Sequence, residues 1–242
     1  MPITEIFAYE FMQNAFIAGT LAAILAGAVG YFVALRNLAF AGHALTHVGF
    51  AGAAGAGLIS LTPMMGQLMI TVLAAIGMGF YGDRVARDNQ SIGIILAFAL
   101  GLGSLFLYFY GSYAGQVTAI LFGDLLGVSC SALQMMGLLT VLSLLALSVM
   151  SRPLLFSSLE PELAAAKGVN MTGLSIAFLS LMAITVTLAS QVVGVLLVFT
   201  LLMGPATIAI RWTSQFWSGI TVSILLAVLI VWLSIFLSYW TD

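Results

Sequence analysis

Residues 37–82 read NLAFAGHALTHVGFAGAAGAGLISLTPMMGQLMITVLAAIGMGFYG and contain no Asp, Glu, Lys or Arg. The run is more than twice the roughly 20 apolar residues that one membrane crossing needs. It is broken at Leu61-Thr62-Pro63, where proline interrupts a helix. Two crossings joined by a tight turn are therefore expected, and the only two histidines of the chain, His43 and His47, fall inside the first of them. The same arithmetic applies further along. Residues 168–210 form a second overlong charge-free run, expected to break near Ser190-Gln191. Shorter runs at 11–35, 89–123, 125–151 and 212–241 supply the rest. Eight spans result, at about 12–35, 39–60, 65–82, 92–110, 131–150, 172–189, 192–210 and 217–239, so the fold class is an all-α integral membrane protein of about eight transmembrane helices. Residues 1–242 are read as one membrane domain.

Composition supports this. The chain is 62% hydrophobic and 6% charged, against about 25% charged residues in a soluble domain. A soluble chain this apolar could not cover its own surface with polar groups. The lipid bilayer is thus the first partner. Six basic residues in 242 cannot form a phosphate-binding stripe, which excludes nucleic acid. The single cysteine, Cys130, excludes an internal disulfide and a thiolate metal cluster. The apolar run at 11–35 is longer than a signal-peptide core and lacks a basic leader, so it is expected to remain as a span.

The basic residues orient the bundle. With eight spans, Arg36, Arg84, Arg87, Arg152, Lys167 and Arg211 all fall on one side. The positive-inside rule makes that side cytoplasmic and places both termini outside. Residues 111–129 then lie on the outer side, read as a short helix or re-entrant piece packed against the bundle. They contain Asp124, which satisfies backbone donors or attracts a cation.

His43 and His47 stand at i and i+4, on one face of the second span. Two neutral imidazoles so placed can grip one divalent cation. Ionisable groups within a span are costly and usually face a cavity or pathway. The competing reading is that both rings only hydrogen-bond neighbouring helices. Gly42, Gly49, Gly52, Gly55 and Gly57 on the same helix suit close backbone packing in lipid.

A second segment, Leu159-Glu160-Pro161-Glu162-Leu163-Ala164-Ala165-Ala166-Lys167-Gly168-Val169, lies on the basic side. Ser157 or Ser158 suits the cap, Pro161 the first turn, the glutamates the positive helix end and Gly168 the C-terminal cap. A helix of about two turns follows, marginal alone and firmer if docked in a partner's groove. The alternative is an ordinary capped loop helix.

No Walker-type loop is present, because the only lysine, Lys167, precedes Gly168 and lacks the Gly-Lys-Ser/Thr pattern. If ATP drives this chain, another chain hydrolyses it. No catalytic residue set is visible, and no cofactor is expected. The twelve methionines are read as packing residues. Tyr108, Tyr110, Trp212, Trp217, Tyr239 and Trp240, near span ends, are read as interfacial anchors.

These segments resemble the membrane permeases of bacterial zinc, manganese and iron ATP-binding-cassette importers. Gly42-His43-Ala44-Leu45-Thr46-His47 is similar to that family's Gly-Asp-x-Leu-x-His segment. Leu121-Phe122-Gly123-Asp124-Leu125-Leu126, Glu160 to Val169, and Val193-Gly194-Val195-Leu196-Leu197-Val198 through Gly204-Pro205-Ala206-Thr207 follow in family order, with Gln90-Ser91-Ile92-Gly93-Ile94 as a weaker match. The resemblance implies a type II importer-like permease in the bacterial cytoplasmic membrane. It also implies a homodimer with a path at its axis, an extracytoplasmic metal-binding protein and cytoplasmic ATPase subunits. By the same resemblance, Glu160, Pro161, Glu162, Leu163, Ala165, Lys167 and Gly168 belong to the helix that couples to the ATPase. His43 and His47 would meet the divalent metal, which is substrate and not cofactor.

The family usually carries aspartate where this chain has His43. Imidazole suits borderline ions such as zinc, whereas a hard carboxylate suits manganese, so zinc is favoured. The chain ends after the eighth span, whereas many relatives continue through one more helix. Two other classes remain as alternatives: an ATPase-independent secondary transporter or channel for metal ions, and a non-transporting membrane scaffold.

Overall fold

The computed structural model describes residues 9–80, 89–110, 119–125 and 127–241. They form α1 (Glu10–Leu35), α2 (Ala39–Ala56), α3 (Pro63–Phe80), α4 (Asn89–Tyr110), α5 (Cys130–Leu159), α6 (Pro161–Ala166), α7 (Met171–Val193), α8 (Val195–Trp212) and α9 (Phe216–Thr241). Among the described residues there is no strand. Seven helices are long and apolar enough to cross a membrane. The eighth long helix, α2, is outside that set because two histidines, a threonine and many glycines and alanines dilute it. The expected eight spans are thus present as eight long helices, with α2 the least apolar.

That helix sits inside the bundle. α2 packs against α3, α4, α7 and α8, with a smaller contact to α1. α1 and α7 form the centre, each touching several neighbours, while α4, α5 and α9 turn Ile94, Phe98, Leu138, Leu142, Leu229 and Leu233 outward. A centre of helices buried all round and a rim with apolar outer faces is the arrangement lipid favours, since lipid tails are as apolar as these side chains. Close approach of α2 to α3 needs glycine: a Cβ at Gly52 would lie 2.7 Å from the Gly66 carbonyl oxygen.

The first expected break is where proline put it. α2 relaxes into a 3₁₀ turn (Gly57–Ile59), Ser60 adopts a left-handed conformation (φ 56°), and Pro63 opens α3. The second differs. α7 runs past Ser190-Gln191 to Val193, and the chain bends at Gly194 (φ 80°, ψ 159°), a conformation essentially reserved for glycine. Ser190 does not break the helix because its hydroxyl donates back to the Thr187 carbonyl (2.8 Å) inside the last turn.

α5 also exceeds its expected end at 150, continuing through Arg152 and Pro153 to Leu159. Pro153 removes one helical hydrogen bond without ending the helix. Arg152 therefore lies within α5, while Arg36 caps α1 and Arg211 lies in the last turn of α8. Arg84 and Arg87 lie outside the described residues, as do residues 111–118 of the expected outer piece. Its described remainder is helical at 119–122 and irregular to Ser129, whose hydroxyl caps α5 by accepting from Ala132 N–H (3.3 Å). Trp212, Trp217, Trp240 and Tyr108 are exposed near helix ends, as anchors would be; the side chains of Tyr110 and Tyr239 are outside the described set.

Candidate metal site

From residue 39 to 54, α2 is buried except at Ala39, Phe40, His43 and His47, which form one open stripe at helical spacing. The imidazoles of His43 and His47 stand edge to face, with ring centroids 4.7 Å apart at 88°. The His43 ring also meets Phe199 of α8, 5.0 Å away at 68°. Nδ1 of His43 is buried and has no hydrogen-bond partner among the described residues. The expected pair is therefore assembled on one face and open at one edge. Hydrogen bonding to neighbouring helices, the competing expectation, does not account for His43 Nδ1.

Among the described residues, no group of three or more His, Cys, Asp or Glu could hold a metal. Two imidazoles are the donors one chain supplies here. A closed four-ligand site retains its ion, whereas two donors with open positions let it pass.

The reverse face of α2 meets a different polar structure. A Cβ at Gly49 would lie 2.8 Å from Gln67 Nε2. Gln67, only 1% exposed, donates from Nε2 to Ser190 Oγ (2.6 Å) and accepts from Gln191 Nε2 at Oε1 (3.4 Å). One turn on, the hydroxyls of Thr71 and Thr187 lie 3.1 Å apart. This ladder joins α3 to α7. Its signal in sequence was present, as polar residues at i and i+4 in an apolar span (Gln67, Thr71) facing Thr187 and Ser190. Ser190 and Gln191 had suggested only a helix break.

A cavity of about 220 Å³ opens beside the ladder, lined by Gln67, Ser190, Gln191, Ala53, Asp124 and Ser129 among others. Neither histidine lines this cavity. Asp124 lines it. Its Oδ1 accepts from Gly127 N–H (2.9 Å), the backbone-donor role anticipated for it. Asp124 and the histidines are not brought together.

The segment from 119 to 129 is fastened to the α7–α8 bend through backbone. Asp124 N–H donates to the Gln191 carbonyl (3.2 Å), and a Cβ at Gly123 would lie 2.6 Å from the Val192 carbonyl oxygen.

At the opposite end, α6 is a single short helix. Pro161 opens it, as expected, but Glu160 holds the N-cap position and makes no side-chain capping bond. Ser157 and Ser158, expected as caps, instead lie in α5 and donate to the Leu154 carbonyl (3.0 and 2.6 Å). Its C-terminus closes as a Schellman motif: Val169 N–H donates to Ala164 (3.1 Å) and Gly168 N–H to Ala165 (3.0 Å), with Gly168 at φ 82°. Ala164 is fully buried, whereas Glu162, Leu163, Ala165 and Lys167 are exposed. Lys167 Nζ sits 5.3 Å above the Phe156 ring, tying the turn back to α5. The helix is thus anchored through Ala164 and presents the rest of its surface.

A bundle of eight long helices, seven of them apolar enough to cross a membrane, is the architecture of a polytopic membrane protein. The comparisons agree: residues 8–242 match the ABC 3 transport family, and the chain belongs to it. The likeness read from the sequence, to permeases of metal-importing ABC systems, therefore stands. The chain is 29% identical over 232 residues to the manganese import system permease protein ScaB of Streptococcus parasanguinis, covering 96% of this chain and 82% of that one. It is 28% identical over 208 residues to the manganese transport system membrane protein MntC of Listeria innocua, covering 86% of this chain and 74% of that one. Its fold superposes on PsaBC from Streptococcus pneumoniae, solved in complex with Fab, with a TM-score of 0.87 and 27% identity, over 98% of this chain and 87% of that one.

Proposed function

We propose that this protein is the membrane subunit of a binding-protein-dependent importer in the bacterial cytoplasmic membrane, passing a divalent transition-metal ion past His43 and His47. The observation that carries the reading is the open histidine stripe on an otherwise buried α2. Imidazoles facing lipid would be costly, so the stripe calls for water or protein opposite it. A second copy of this chain, with the path at the dimer axis, supplies both.

The metal-binding protein delivers the ion at the outer face, and the basic end of the bundle, with Arg36, Lys167 and Arg211, lies in the cytoplasm. Both termini then face outward. A cytoplasmic ATPase grips α6 through Glu162, Leu163, Ala165 and Lys167, and its cycle rocks the bundle between outward- and inward-facing states.

Between ions, the relatives' names carry manganese. The donors on this chain are both imidazoles, which suit zinc better than a hard cation. We read zinc as the preferred ion, with manganese or iron as competitors that uptake measurements separate. An ATPase-independent carrier gains no support from membership of the ABC 3 transport family.

The test is uptake of labelled zinc and manganese into cells carrying wild type or the double variant His43→Ala, His47→Ala, with co-purification of the ATPase as the assembly control. Loss of uptake with the ATPase still captured is the expected result. Normal uptake by the double variant overturns the ligand assignment, and failure of wild type to capture an ATPase overturns the importer.

A further inference from the structure

The His43 ring meets two aromatic neighbours edge to face, His47 and Phe199. Its Nδ1 is buried and has no hydrogen-bond partner among the described residues. These two facts oppose one another. Edge-to-face contacts hold the ring in place, while an unsatisfied buried nitrogen favours any orientation that finds a donor, an acceptor or a metal.

We propose that Phe199 is a gate residue that keeps His43 in a resting, poorly ligating orientation, and that metal loading requires the two rings to part. This rests on the reading of His43 and His47 as transit ligands. Phe199 is placed to act this way by its helix. It lies five residues beyond Gly194, where α8 begins, and the bend at Gly194 is fastened to the segment from 119 to 129 through Gly123 and Asp124. Movement of that segment therefore reaches Phe199 through one rigid turn of helix. Once the ring of Phe199 withdraws, His43 can rotate, Nδ1 leaves its apolar surroundings, and the imidazole pair binds the ion. Return of Phe199 reverses these steps and drives the ion off. Such a gate lowers resting affinity by the fraction of molecules with the rings apart.

The proposal is tested on the purified full-length permease with its ATPase, without nucleotide, by equilibrium titration with zinc. Phe199→Ala should bind zinc at least about fivefold more tightly than wild type, the lower end of ordinary coupling effects. Phe199→Tyr, which keeps the ring, should return the wild-type value. Diethylpyrocarbonate labelling read by mass spectrometry gives a second measure: His43 should react slowly in wild type and faster in Phe199→Ala, with His47 changing less. Unchanged or weaker zinc binding in Phe199→Ala, or unchanged His43 labelling, overturns the gate while leaving the histidines as ligands. If His43→Ala, His47→Ala binds zinc like wild type, the ligand reading itself fails, and the gate with it.

Discussion

Gly123 and Gly194 face each other backbone to backbone, at φ 82° and φ 80°, with no room for a Cβ on either. A Cβ on Gly194 would collide with the Leu121 carbonyl oxygen and the Phe122 carbonyl carbon. Two irregular segments far apart in sequence are thereby locked together where α7 meets α8. Gly194→Ala incurs both a forbidden backbone conformation and a backbone clash, and should cost at least about 2 kcal/mol. Gly204→Ala, where a Cβ meets nothing within 4 Å, should stay within about 0.5 kcal/mol of wild type. Thermal melting of the detergent-purified protein compares them; equal melting of the two variants would contradict the locked contact.

The polar ladder predicts a modest coupling. Gln67→Leu removes the bond to Ser190 and the weaker one from Gln191. Inter-helix hydrogen bonds within membranes average about 0.6 kcal/mol, with a maximum near 1.7. A double-mutant cycle of Gln67→Leu with Ser190→Ala should return a coupling in that range by reversible unfolding. A value near zero would mean that the α3–α7 contact is held by apolar packing alone.

α6 separates support from recognition. Ala164 is fully buried, so Ala164→Leu overpacks its seat and should cost about 1–3 kcal/mol, lowering both melting temperature and ATPase capture. Glu162 is exposed. Glu162→Lys should leave melting within about 0.5 kcal/mol of wild type yet reduce ATPase capture from solubilised membranes. Undiminished capture by Glu162→Lys would remove this residue from the docking surface.

Donor chemistry predicts ion choice. His43→Asp replaces an imidazole with a hard oxygen donor. The ratio of manganese to zinc uptake should rise about tenfold, equivalent to about 1.4 kcal/mol of differential stabilisation. An unchanged ratio would place ion selection elsewhere.

Much of this architecture was legible because its signals are local. Pro63 ended a span, Pro161 opened α6 and Gly168 closed it, each through its own backbone geometry. The paired histidines were visible as an i, i+4 spacing. Signals that depend on distant partners misled. Ser190-Gln191 resembled a polar break, but their side chains are satisfied by Thr187 and Gln67, so the helix continues to Gly194. The fifth span was expected to end near 150, yet α5 runs on through Arg152 and Pro153 to Leu159. Phe199 gave no sign at all in an apolar run, because only the packing of α8 on α2 brings it to His43.

The position of α2 bears on how the chain is made. Among the described residues, seven helices are long and apolar enough to cross a membrane, and α2 is outside that set. It is also enclosed on most sides by α3, α4, α7 and α8, of which even the first emerges from the ribosome after it. Its enclosure is therefore completed only by segments synthesised after it. The helix that bears the histidines is the one whose place in the membrane is guaranteed by its neighbours.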